Sequence, residues 1–128
     1  MRFNQRRGEA AERVAERRRR EDQAPRLIER VPRLESLRLE IQELRDGVCV
    51  LESKHVRRIP VDHAPALFEL PCLDGFCEDG MHDLTQAILR ELEAGATEFG
   101  GEDACSGHTG SSACHRVLKY VGVATYRS

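Results

Sequence analysis

The segment from Val117 to Tyr126 has the clearest strand pattern in the chain. Its odd-numbered residues, such as Val121 and Val123, lie on one side of the predicted strand, and its even-numbered residues lie on the other. β-branched and aromatic residues are frequent here, as is typical of strands. The pattern of residues 96–99 predicts a second strand, which would pair antiparallel with the first. The two segments would form a hairpin whose tip is the loop from Cys105 to Cys114.

A helix is predicted between Asp83 and Gly95. Asp83 is placed to cap the N-terminus, with Gln86 three residues later completing a capping-box-like pair. Gly95 is a typical helix stop. Four apolar residues share one face, which we expect to cover the sheet: Leu84, Ala87, Ile88 and Leu92.

Residues 32–47 fit two different elements. Pro32 and Gly47 would bound a helix with an apolar seam that includes Leu34 and Leu44. The same segment also alternates apolar and polar residues around Leu39, which indicates a half-buried strand. We favour the strand, because residues 55–62 also have strand character and an antiparallel sheet would accommodate another strand. The predicted fold is therefore α+β: a small antiparallel ββαββ-like sheet with one covering helix.

The N-terminal residues 1–24 differ from the rest of the chain in composition and charge. Strong helix formers dominate residues 8–22, yet Val14 is their only large apolar side chain. We expect a basic helical or partly disordered extension, followed by a single small α+β domain over residues 25–128. Residues 1–33 carry a net charge of +5 and residues 34–128 one of −7, which together give the −2 of the whole chain.

An arginine-rich arm on an acidic body predicts either a polyanionic partner or contacts with the protein's own domain. We expect a protein partner or self-association, and nucleic acid as the other class of partner through the arm. The candidate contact residues are Arg6, Arg7, Arg13, Arg17, Arg18, Arg19 and Arg20.

Length and composition limit the other options. The chain has 128 residues, of which 40% are hydrophobic, and no Trp. It supports only a small core, and small domains commonly need a metal or a cross-link. No apolar run approaches the roughly 18 residues of a membrane span, and the N-terminus lacks the apolar segment of a secretory signal. We therefore expect a cytoplasmic protein with no membrane partner.

Four of the five cysteines form two pairs, Cys72/Cys77 and Cys105/Cys114. In a reducing compartment such pairs more often bind metal than form disulfides, so we predict one structural zinc site. Cys105-x-x-His108 also has ligand spacing, and His108 could replace one cysteine. Reduced, buried thiols or a disulfide or redox pair are the alternatives.

The predicted function is a non-enzymatic, zinc-stabilised binding module that interacts with protein or nucleic acid. The alternative is a metal- or thiol-dependent enzyme, a hydrolase or a redox protein, that uses the Cys/His cluster. No Gly-x-Ser-x-Gly or His-Glu-x-x-His motif occurs, and no catalytic residue is predicted. The acidic residues around Gly75 and Gly80 are typical of a solvated turn.

Overall fold

The computed structural model describes the backbone of residues 2–128 and the side chains from residue 11 onward. Its helices are α1 (Arg2–Gln23), α2 (Leu27–Arg30) and α3 (Thr85–Glu93). Its long strands are β1 (Leu34–Arg45), β2 (Val48–Ile59), β5 (Glu98–Ala104) and β8 (Arg116–Tyr126). Its short strands are β3 (Glu69–Pro71), β4 (Met81–Asp83), β6 (His108–Thr109) and β7 (Ser112–Ala113).

The four long strands form one antiparallel sheet in the order β2-β1-β8-β5. The α+β class is thus confirmed. The choice of a strand for residues 32–47 is also confirmed, because β1 occupies the middle of the sheet and buries Leu37, Leu39 and Ile41. Strand β8 lies beside β1 and pairs with β5, as the predicted C-terminal hairpin requires.

Strand β2 begins at Val48, seven residues before the strand predicted at His55. Asp46 and Gly47 form the turn that joins it to β1, and both have positive φ, 51° and 81°. Asp-Gly at two such positions is the preferred sequence of a two-residue hairpin turn. Gly47 therefore ends a strand and starts its hairpin, whereas the helical interpretation used it as a helix stop.

Helix α3 lies on the inner face of the sheet, within one hydrophobic core that also includes Leu27 of α2. The predicted capping box is wrong: Leu84 is the N-cap residue and makes no side-chain cap. Asp83, one residue earlier, instead accepts a hydrogen bond of 3.1 Å from the Thr85 amide. The predicted face is also shifted, because Ala87 is exposed and Leu89 is buried.

Helix α1 contacts the domain through ion pairs. Arg13 lies 3.2 Å from Asp79, and Arg20 Nη2 lies 2.7 Å from Glu69 Oε2. The hydrogen bond to the Glu69 carboxylate raises the pKa of Arg20. The prediction that the arm has little apolar surface to dock is consistent with Val14, which is exposed. Arg6 and Arg7, two of the predicted contact residues, lie outside the described side chains.

A substitution at Gly122, on β8, would test the packing between β5 and β8. It pairs with Phe99, whose ring covers it so closely that an added Cβ would lie 2.9 Å from Cε1 and nearer still to two other ring atoms. We expect Gly122→Ala to lower the free energy of unfolding by about 1–3 kcal/mol, the usual cost of overpacking a core. Urea denaturation would measure this change.

Gly75→Ala is the matched control for this substitution, because nothing lies within 4 Å of a Cβ added at Gly75. Its free energy of unfolding should stay within about 0.5 kcal/mol of the unsubstituted protein, as for most surface changes. Equal stability of the two variants would contradict the close packing of Phe99 on β8.

Candidate metal centre

Two hairpin tips meet at one end of the sheet. Strands β3 and β4 pair from Glu69↔Asp83 to Pro71↔Met81, and their connection carries Cys72 and Cys77. The β5–β8 hairpin carries Cys105 and Cys114 in its tip, which contains the small β6–β7 hairpin. The tips are joined by backbone hydrogen bonds between Glu78 and His108, of 2.7 and 3.1 Å. Main-chain pairing therefore brings the two cysteine pairs together.

The four cysteine sulfurs all lie within 4.8 Å of one another. Cys72 Sγ is 3.9 Å from Cys114 Sγ, and Cys77 Sγ is 3.6 Å from Cys105 Sγ. Sulfurs bound at about 2.3 Å in a tetrahedron around one zinc ion lie about 3.8 Å apart, whereas a disulfide requires about 2.05 Å. All five cysteines are free. The cluster thus has the spacing of a tetrathiolate metal site.

The fifth predicted ligand, His108, and the remaining cysteine, Cys49, lie outside this cluster. His108 is half exposed, and its Nε2 lies 3.4 Å from Glu78 Oε2. The cluster thus contains four cysteines without His108. Cys49 lies on β2, where its thiol donates a 3.2 Å hydrogen bond to Gln42.

The electrostatics of the cluster oppose full ionisation in the absence of a cation. Burial raises the pKa of Cys72 far above its ordinary value and, with hydrogen bonding to Cys105, that of Cys77 to about 12. Burial opposes ionisation of Cys114 too, but hydrogen bonds from the Arg116 backbone and the other thiols outweigh it and lower its pKa. Thiols bind metal as thiolates, so a bound cation would displace their protons and compensate their charge.

Two glycines are essential to the close approach of the two tips. A Cβ at Gly80 would lie 2.7 Å from Cys72 Cβ and 2.8 Å from Cys105 Sγ, and one at Gly107 would lie 2.6 Å from Cys77 Sγ. Real Cβ atoms do not approach other atoms so closely. The Gly107 amide also donates a 3.3 Å hydrogen bond to Cys105 Sγ. Gly80 lies three residues after Cys77, and Gly107 lies two residues after Cys105. This proximity to the cysteines was a sequence signal that our sequence analysis did not use.

A buried polar network lies beside the cysteines, and the sequence analysis missed it. Glu43 and His82 are both fully buried. Glu43 Oε1 accepts a 3.0 Å hydrogen bond from Arg116, and its Oε2 accepts one of 2.9 Å from the Leu73 amide. His82 Nδ1 lies 2.9 Å from Asp103 Oδ2. The sequence does contain one signal of this network. Glu43 falls in the alternation of β1 at a position that faces the core, in phase with Leu37 and Leu39, where a charged residue is unexpected.

The described arginines of α1 are largely paired within the chain. Besides Arg13 and Arg20, Arg17 pairs with Glu21 at 3.9 Å and Arg19 with Glu16 at 3.0 Å. Arg18 is exposed. These residues form no continuous surface of unpaired positive charge.

No protein-family model, curated protein or solved structure matches this chain. Across residues 2–128, no helix is long and apolar enough to cross a membrane. The interpretation of the site therefore depends on its geometry and chemistry.

Gly80 provides a test of this geometry that leaves every thiol in place. We expect Gly80→Ala to weaken zinc binding about tenfold or more, as changes in the support of metal ligands do, because the new methyl group would displace Cys72 or Cys105. Competition with a chromophoric chelator would measure the affinity. Gly75→Ala, in the same loop, should bind zinc like the unsubstituted protein. Equal affinity of the two variants would contradict the predicted steric conflict.

Proposed function

We propose that this protein is a non-enzymatic binding module stabilised by zinc. The observation that carries the proposal is the convergence of four cysteine sulfurs from two hairpin tips. Zinc commonly binds four thiolates in structural sites, and a complete set of protein ligands leaves no position for substrate or reactive water. The metal would fix the shape of the two loops, and function would come from the surface that these loops display.

Domain organisation follows from the same proposal. Residues 25–128 contain the sheet, α2, α3 and both cysteine pairs, and would form the folding unit. Residues 1–24 would be an accessory extension, since α1 contacts the domain through ion pairs such as Arg20–Glu69. The Arg13–Asp79 pair is exposed and of the kind that contributes little to stability, whereas the Arg20–Glu69 pair is partly buried.

The enzymatic alternative has less support. A reactive cysteine needs a lowered pKa and access to its substrate. The pKa values of Cys72 and Cys77 are raised by burial, and Cys114, whose pKa is lowered, is buried. The two acid–base candidates that lie within 4.8 Å of Cys72 Sγ, Glu43 and His82, are 0% exposed. A general acid or base must reach a proton of the substrate, and these side chains do not reach the surface.

Exposed apolar side chains favour a protein partner. Phe76 is 87% exposed and Leu73 is 48% exposed. Both lie on the loop between Cys72 and Cys77. Strand β2, at one edge of the sheet, exposes Val48, Leu51 and Val56. Aromatic anchors and open strand edges are typical of protein–protein contacts, including contacts between copies of one chain. Nucleic-acid binding through α1 has less support, because four of its arginines already pair with carboxylates.

The zinc proposal predicts that Cys105→Ser unfolds the domain. Structural zinc contributes about 10–16 kcal/mol in zinc-finger peptides, which is comparable to the whole stability of a domain. Circular dichroism should show loss of cooperative unfolding, and the remaining thiols should alkylate rapidly. Cys49→Ser is the matched control and should keep its zinc, because Cys49 lies outside the cluster. Rapid alkylation of the four thiols in the reduced wild type, with an unchanged melting temperature for Cys105→Ser, would contradict structural zinc.

The partner proposal predicts that Phe76→Ser reduces binding without changing the fold. Loss of an aromatic hot spot typically costs about 2 kcal/mol or more, a factor of about 30 in affinity. Quantitative affinity capture and sedimentation equilibrium would compare wild type with Phe76→Ser for partner proteins and for self-association. Leu51→Ser, on β2, is the matched control at the other apolar surface.

The binding measurements on the two variants also distinguish between the two apolar surfaces and between the two classes of partner. Loss of binding in Leu51→Ser alone would assign the contact to the β2 edge. Association with DNA or RNA that weakens steeply with salt would contradict a protein partner and favour the arginine arm.

A further inference from the structure

Three metal-ligating groups face one another next to the four-thiol cluster. A carboxylate oxygen of Glu43, a ring nitrogen of His82 and Cys72 Sγ all lie within 4.8 Å of one another. Glu43 and His82 are 0% exposed. They come from β1 and β4, so the fold itself places them together.

The hydrogen bonds of His82 determine which nitrogen faces this group. His82 Nδ1 lies 2.9 Å from Asp103 Oδ2, and an ionised carboxylate only accepts, so Nδ1 carries the proton. Nε2 is then left 3.5 Å from Glu43 Oε2, and it has no hydrogen-bond partner in the described part of the chain. A buried polar atom without a partner is unusual. Here its lone pair faces a carboxylate and a thiol, an arrangement that a bound cation would stabilise.

The distances suit a divalent metal ion. Zinc binds histidine nitrogen and carboxylate oxygen at about 2.0–2.2 Å, so tetrahedral neighbours lie about 3.3–3.5 Å apart. The observed separation between His82 Nε2 and Glu43 Oε2 is 3.5 Å. Metal-bound histidines usually donate their other N–H to a carboxylate, as His82 does to Asp103.

The charges near the cluster also favour a second cation. One zinc ion with four thiolates leaves two negative charges, and Glu43, Asp74 and Asp103 add three. Arg116 supplies one positive charge, through contacts with Glu43 at 3.0 Å and Asp74 at 3.8 Å. A second divalent ion would remove half of the remaining negative charge, and Arg116 would still hydrogen-bond the ligating Glu43.

We infer that Glu43, Cys72 and His82 bind a second zinc ion, with the Cys72 thiolate shared between the two metals. The inference rests on the proposed function, because the shared thiolate belongs to the four-thiol site. Three protein ligands leave one position of this ion for a further small ligand, but Glu43 and His82 are fully buried, so a substrate at the surface would not reach the ion and its role would be structural. It would connect the central strand β1 and strand β4 to the metal-binding loops.

The test is zinc stoichiometry of the full chain under reducing conditions, by equilibrium dialysis and elemental analysis, with alkylation of the thiols measured in parallel. Wild type should bind two zinc ions per chain and protect four thiols. His82→Gln and Glu43→Gln should each lose one ion and still protect the four thiols. His115→Gln is the matched control and should keep both ions, because His115 is exposed beside Cys114.

A wild-type measurement keeps the inference testable if the variants fail to fold. Two zinc ions that share a sulfur at about 2.3 Å lie at most about 4.6 Å apart, so X-ray absorption or anomalous diffraction should detect a zinc–zinc pair. Two resolved ¹¹³Cd resonances in the cadmium-loaded wild type would support the same arrangement.

The other outcomes separate this inference from the proposed function. A single zinc ion with four protected thiols would overturn the second site, while the four-thiol centre would stand. A single ion that is lost in His82→Gln, with reactive thiols in the wild type, would overturn both the four-thiol centre and the shared thiolate. No bound zinc would also overturn both.

Discussion

The convergence of four thiols on one point is the constraint on which this fold depends. Cys72 and Cys114 are 42 residues apart, yet their sulfurs lie 3.9 Å apart. The strands that carry them toward each other include β3 and β4, of three residues each, and β6 and β7, of two. Isolated pairs of such short strands are not stable in water. A cation held by four sulfurs would offset the entropy lost when these loops close and remove the repulsion between their thiolates.

Glu43 connects this centre to the sheet. Its carboxylate receives hydrogen bonds from the Leu73 amide and from Arg116, on two different segments near the cysteines. Removing one partner from a buried charged group is strongly destabilising, because the other is left uncompensated. The inward position of Glu43 on β1, costly in an ordinary core, is therefore understandable at the end of the sheet that faces the cysteines. The hydrophobic core and the four-cysteine cluster are parts of one connected structure.

Much of the local structure was predictable from the sequence, because local periodicity determines it. The alternation in residues 117–126 and the apolar face of α3 both correspond to real elements, although Leu89 replaces Ala87 in the core. The two cysteine pairs were predictable from their residue type and number. The Asp46-Gly47 hairpin turn was readable in principle, but the neighbouring leucines also fitted a helix.

The pairing of His82 with Glu43 and Asp103 was not predictable. These residues lie on three different strands, and neither their spacing nor their neighbours mark them as a group. The requirement for Gly80 and Gly107 likewise appears only when the two tips are in place, since each glycine contacts a cysteine of the other pair. Contacts between distant segments depend on the register of the strands, and strand register is not readable from a single periodic pattern.

The loop between Cys72 and Cys77 also carries the exposed aromatic side chain through which the proposed protein partner would bind. Phe76 lies between Cys72 and Cys77, and its side chain is 87% exposed in a chain with only four phenylalanines and no Trp. An aromatic residue on a loop fixed at both ends loses little conformational freedom on binding, so more of its contact energy contributes to affinity. A flexible loop of the same sequence would lose that advantage. Stability and recognition would therefore depend on the same metal, and its loss would remove the binding surface together with the fold of the loops.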